Sequence, residues 1–118
     1  MTTSLNLPSA TDESFATDVA PGTGLVAVEF SAEWCPPCHL MAPIIERVAQ
    51  EYASSLRVLQ VDADANPRTM VRLGVRGLPT MLVFRDGALV DRIVGAVSHA
   101  TLRERLGRLI GAEEMHSG

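Results

Sequence analysis

Glu33-Trp34-Cys35-Pro36-Pro37-Cys38 is the stretch on which the reading of this chain turns: it holds the only two cysteines, the only tryptophan and two of the seven prolines. The short apolar run Leu25-Val26-Ala27-Val28 ahead of it has the character of a buried strand. Behind it, Leu40, Met41, Ile44, Ile45, Val48, Ala49 and Tyr52 recur at helical spacing and mark one helix face. Cysteines three positions apart at a helix start lie one turn from each other, so their Cα atoms fall near the ~5.5 Å that a disulfide prefers. The pair can open and close in place at a strand-to-helix junction.

That junction has chemical consequences. The first turn of a helix presents unpaired backbone N–H groups and the positive end of the dipole, both of which stabilise an anion. A thiolate at Cys35 gains from them. Pro36 and Pro37 are tolerated because the first helical N–H groups have no backbone acceptor, and they stiffen the turn. Between the apolar walls of Trp34 and Pro36, Cys35 is expected to be partly exposed, while Cys38, one turn in, faces the interior. Cys35 is the candidate nucleophile and Cys38 the candidate resolving thiol.

Other uses of two cysteines fit less well. A structural zinc site needs four ligands, and His39, His99 and His116 are scattered rather than paired at finger spacing. No metal and no cofactor are expected. A permanent disulfide closing so short a loop would restrain the unfolded chain little. His39 is expected at an outward-facing surface position and His116 to be inert.

The rest of the chain has an α/β order. Residues 1–8 are weakly patterned, with a short edge strand expected around Leu5 to Leu7, ended by Pro8. Ser9 or Thr11 caps a first helix through Phe15 and Val19, and Pro21-Gly22-Thr23-Gly24 stops it. Leu25 to Phe30 is apolar throughout, as a central strand covered on both faces is. A helix from Pro36 to about Ala53 carries Pro43 in its pattern, and Leu56 to Asp62 is a second strand joined by a parallel crossover. Asn66-Pro67 opens a short helix with Asn66 as cap, and Gly74 closes it. Thr80 to Arg85 and Ala88 to Val94 are strands around the hairpin signal Asp86-Gly87, and Gly95 suggests a bulge or a close backbone approach. Ser98 caps a last helix with Leu102, Leu106, Leu109 and Ile110 inward, ended by Gly111. The expected architecture is a mixed sheet of four to five strands with helices on both faces, in one domain over residues 1–111 with a loose tail at 112–118.

At 118 residues and 47% apolar content the chain can build a single core. Its net charge of -4 argues against nucleic acid or an anionic membrane as partner. Met1-Thr2-Thr3-Ser4 lacks a basic leader and no apolar run is long enough to span a bilayer, so a cytoplasmic address is expected, where a dithiol stays reduced. Glu29 is an acid inside the apolar central strand, where burial raises its pKa and suits it to accept a proton.

Glu33-Trp34-Cys35-Pro36-Pro37-Cys38, Pro43, Asp64 with Asn66-Pro67, Gly77-Leu78-Pro79-Thr80, Phe84 with Asp86-Gly87, and Val94-Gly95-Ala96 together resemble the thioredoxin family, with order and spacing kept from about Asp12 to Ile110. The resemblance implies the thioredoxin fold and a protein disulfide reductase acting by dithiol–disulfide exchange through Cys35 and Cys38. It implies protein disulfide substrates, re-reduction by a separate thioredoxin reductase, and a monomer. It also implies a cis peptide bond before Pro79, beside the dithiol, and a substrate segment lying as an added strand across Trp34, Leu78 and Gly95. Two other readings stand beside it: a dithiol oxidase or isomerase on the same fold, and a non-redox binding module. The chain departs from the commoner family pattern at Pro36, at Glu29 where Asp is usual, at Ser31 where Trp is frequent, and at Gln60 where Lys is common.

Overall fold

The computed structural model describes the backbone of residues 7–117 and the side chains of residues 7–112. In chain order the elements are α1 (Phe15–Asp18), β1 (Leu25–Ser31), α2 (Pro36–Glu51), β2 (Arg57–Asp62), α3 (Pro67–Leu73), β3 (Thr80–Arg85), β4 (Ala88–Val94) and α4 (His99–Ser117). The strands form one four-stranded sheet in the order β2-β1-β3-β4. β1 pairs parallel with β2 and antiparallel with β3, and β3 pairs antiparallel with β4, so the sheet is mixed.

β1 is buried at every position because helices cover both of its faces. On one face Leu25 and Ala27 pack with Met41, Ile45 and Val48 of α2 and Leu102 and Leu106 of α4. On the other, Val26, Val28 and Phe30 pack with Phe15 of α1 and with Met70 and Leu73 of α3. Two separate cores, one per face, hold the central strand and so fix the place where its carboxyl end hands the chain to α2.

The hairpin is the one expected. Asp86 and Gly87 both have positive φ, as a tight two-residue turn requires. Gly74 takes the left-handed conformation at the end of α3. The Ser98 hydroxyl accepts the Thr101 amide at the start of α4.

Several expectations need correction. The edge strand around Leu5 to Leu7 falls mostly on residues outside those described; the pairing seen is a parallel bridge from Ser9 to Gln60, just past Pro8. α1 is a single turn whose nominal cap position, Ser14, makes no side-chain cap bond within it. Of the two caps expected, Thr11 does act at this helix start, its hydroxyl accepting the Ser14 amide at 3.1 Å while Ser14 Oγ accepts the Thr11 amide at 2.9 Å. Residues 12–14 form turns instead, because the Asp12 carboxylate is engaged at α3, accepting the Thr69 and Arg68 amides at 2.8 and 3.3 Å. That contact replaces the cap expected from Asn66, whose side chain accepts the Asp12 amide and donates to the Asp62 carbonyl. Leu40 is 71% exposed, since it sits two residues from Cys38 and so on the opposite side of α2 from the core. The irregularity in the hairpin lies between Val83 and Phe84, and Gly95 stands after β4.

Gly111 does not end α4, which continues to Ser117, so residues 112–117 are helical rather than a loose tail. Gly111 is not among the glycines of positive φ. A helical glycine costs only about 1 kcal/mol relative to alanine, and Ala112, Glu113, Glu114 and Met115 beyond it are good helix formers.

Candidate active site

The chain leaves the carboxyl end of β1, turns through Ala32, Glu33 and Trp34, and enters α2 with Cys35 at the cap position. Cys35 is extended (φ -100°, ψ 104°), and Pro36 and Pro37 begin the helix. A disulfide joins Cys35 to Cys38, with their Cα atoms 5.3 Å apart. The Cys38 amide donates to Cys35 Sγ at 3.3 Å, and the Cys35 carbonyl accepts from the Cys38 and His39 amides at 3.1 and 3.3 Å. The cap of α2 is thus a sulfur, which takes the single N–H of Cys38, since Pro36 and Pro37 have none to offer.

Cys35 is not partly exposed as expected: it is buried at 3%, and Cys38 at 0%. The reason is local. With its sulfur bonded to that of Cys38, Cys35 packs in a small apolar cluster with Cys38 and Ala32, against which half-buried Leu78 rests. Pro36 stays exposed at the helix start.

The loop before β3 supplies the opposite wall. The Leu78-Pro79 peptide is cis and Pro79 is buried. The Thr80 hydroxyl donates to the Gly77 carbonyl at 2.7 Å, and the Gly95 amide donates to the Pro79 carbonyl at 2.8 Å, tying the end of β4 to this loop. Gly95 has φ +85° with open space where a side chain would start. Leu78, Pro79 and Gly95 therefore sit together beside the cysteine pair.

Trp34 is 66% exposed, and its indole N–H donates to Asp64 Oδ2 at 2.8 Å. In the sequence Asp64 is only a family landmark; its partner lies thirty residues away, and nothing in the spacing reveals the bond. Asp64 is itself fixed, its amide donating to Asp62 Oδ1. His39 is exposed as expected, with Nε2 against the Glu33 carbonyl.

Glu29 is buried at 4% in β1, on the sheet face that carries α2, between Gln60 of β2 and Met81 of β3. Burial pushes its carboxyl up to about 8. Gln60, its cross-strand neighbour, is neutral and holds the chain start, donating from its side chain to the Leu7 carbonyl at 2.7 Å.

Two sulfurs one helical turn apart, a backbone N–H donated to the first of them and an apolar wall against both make dithiol–disulfide exchange the chemistry of this site. Fold and site together define a thiol–disulfide oxidoreductase of the α/β class. The thioredoxin family model matches residues 6–108. The chain is 36% identical to the thioredoxin of Porphyra purpurea over 106 residues, covering 90% of this chain and 99% of that one. It is 48% identical to the thioredoxin of Acidithiobacillus ferridurans over 91 residues, 77% of this chain and 84% of that one. With thioredoxin 1 of Synechococcus elongatus it shares 38% over 100 residues, 85% of this chain and 94% of that one. The chain belongs to the thioredoxin family, and the Cys35–Cys38 pair makes it a disulfide reductase.

Proposed function

We propose that Cys35 is the attacking thiol, Cys38 the resolving thiol and Glu29 the proton acceptor of the second step. The observation that carries this assignment is the position of Cys35 Sγ as the cap of α2, accepting the Cys38 amide. In the reduced protein the Cys35 thiolate attacks one sulfur of a substrate disulfide. A mixed disulfide forms, and the first substrate thiol leaves with a proton from solvent. Cys38 then gives its proton to Glu29 and attacks Cys35 Sγ; the second substrate thiol leaves, and the Cys35–Cys38 disulfide closes. Two electrons have passed to the substrate, and a separate thioredoxin reductase returns them in the reverse exchange.

A raised carboxyl supports the role of Glu29, because a base that holds its proton near neutral pH can both take and release it. Trp34, Pro36, Leu78, Pro79 and Gly95 form the proposed substrate surface. It is apolar, surrounds the disulfide, and includes the open space at Gly95 where an extended backbone can approach. Protein disulfides are the proposed substrates, and the proposed working unit is a monomer, since every group named lies on one chain. The proposed address is the cytoplasm; among the described residues no helix is long and apolar enough to cross a membrane.

The assignment is tested by trapping. A Cys38→Ser variant mixed with a disulfide-bonded protein should accumulate a covalent adduct, and a Cys35→Ser variant should not. Equal trapping by both variants would overturn it.

A further inference from the structure

The sheet edge that carries the disulfide has opposite charges on its two sides. Along this edge the segments are arranged in the strand order: Asp62 and Asp64 at the end of β2, Trp34 and Cys35 after β1, Leu78 before β3, and Gly95 after β4. α3 runs between the two sides. At its start Asn66 holds the Asp62 carbonyl, and at its end the Arg92 guanidinium of β4 donates to the Leu73 and Gly74 carbonyls at 2.7 and 3.5 Å. Arg72, in the last turn of α3, and Arg76, two residues before Leu78, therefore stand on the β3–β4 side, opposite the two aspartates.

These two arginines differ from the rest. The chain has ten arginines and no lysine. Arg47, Arg68, Arg103, Arg105 and Arg108 pair with carboxylates, and Arg57, Arg85 and Arg92 donate to backbone carbonyls. Among the described residues, Arg72 and Arg76 alone have neither kind of partner, and both are exposed. Exposed Val94, at 64%, ends β4 and gives the same side apolar surface.

We propose that this asymmetry selects and orients substrate: the protein prefers disulfides in extended segments that carry carboxylates on the flank passing over Arg72 and Arg76. The proposal rests on the disulfide-reductase reading above and adds the substrate class. Complementary charge speeds encounter and fixes direction, while like charge suppresses the reversed pose. A segment laid the other way would put its carboxylates against Asp62 and Asp64 and leave the arginines unmatched.

The test uses three synthetic peptide disulfides whose cysteine has glutamate, lysine or serine on one flank and serine on the other, each made with the variable flank before and after the cysteine so that the faster glutamate order is the one compared. Each is reacted with the reduced full-length protein in single turnover, monitored by Trp34 fluorescence. At low salt the glutamate peptide should react about fivefold faster than the lysine peptide. The ratio should approach one in high salt, where charges are screened, and it should invert in an Arg72→Glu, Arg76→Glu double variant. Equal rates at low salt, with the serine peptide reduced normally, would overturn the proposal and leave the reductase reading standing. A glutamate preference that survives in the double variant would overturn it as well. Reduction of none of the three would overturn the reading on which it rests.

Discussion

Two carboxylates in this molecule meet opposite fates. Glu29 lies in the central strand beneath α2, where burial alone pushes its carboxyl up to about 8. Asp12 lies where the start of the chain meets α3. The Thr69 hydroxyl donates to it at 2.6 Å, the Thr69 and Arg68 amides donate as well, and its carboxyl is held below the ordinary aspartate range, chiefly by that hydroxyl. Asp12 is satisfied and structural: it caps a helix and pins the α1 segment to α3. Glu29 opposes folding, and its place is beneath the helix that carries the reacting sulfurs. The difference separates a carboxylate by which the fold holds itself together from one that the fold carries at a cost, at the position where the proposed proton acceptor is needed.

The largest effect on stability is expected from Glu29→Gln. The folded carboxyl titrates near 8 and the unfolded one near 4.5, so between these values the folded state binds more protons and stability falls as pH rises. By pH 7 the cost reaches about 3 kcal/mol. Glu29→Gln should remove it, raising denaturant-derived stability at pH 7 and converging with the parent below pH 4.5. Unchanged stability across that range would show that Glu29 is not held against its preference. The same variant should slow full turnover while leaving adduct formation in a Cys38→Ser background unaltered.

Asp12→Ala should act with the opposite sign. Its lowered carboxyl contributes stability that is fully present above the unfolded value of 3.8 and is lost as pH falls through the folded one. Thermal unfolding near neutral pH should therefore show a midpoint lower by several degrees, and the gap to the parent should close in acid. A gap that widened in acid would break the comparison.

Leu40→Gln should change almost nothing. Leu40 is exposed on the outer side of α2, so chemical denaturation should place the variant within about 0.5 kcal/mol of the parent. A loss of core-residue size would mean that the outer side of α2 is covered.

Much of this was legible in the sequence, for reasons that differ between elements. Strand β1, the hairpin at Asp86-Gly87, the left-handed stop at Gly74 and the placing of both cysteines at a helix start are all dictated by local chemistry. The raised carboxyl of Glu29 comes from an acid in a strand covered on both faces. Local chemistry hides contact at long range. Asn66 has the right type for a cap, yet Asp12, more than fifty residues earlier, takes the amides. Trp34 has no partner visible in the sequence, because only the folded chain brings Asp64 beside it. Leu40 belongs to an apolar pattern that is broader than the buried face, because the outer side of α2 near the cysteines is itself apolar with Pro36, Pro37 and Pro43. Gly111 has the residue type of a helix stop, but the stop needs a left-handed turn that the backbone does not make there.

The central claim is that the start of α2 makes Cys35, and not Cys38, the reactive thiol. It is tested most directly by treating the fully reduced protein with a limiting amount of iodoacetamide at neutral pH and locating the modified residue by mass spectrometry. The account predicts that the alkyl group is found on Cys35 almost alone, with Cys38 modified only after unfolding. Labelling of Cys38 first, or of both thiols equally in the folded protein, would contradict it.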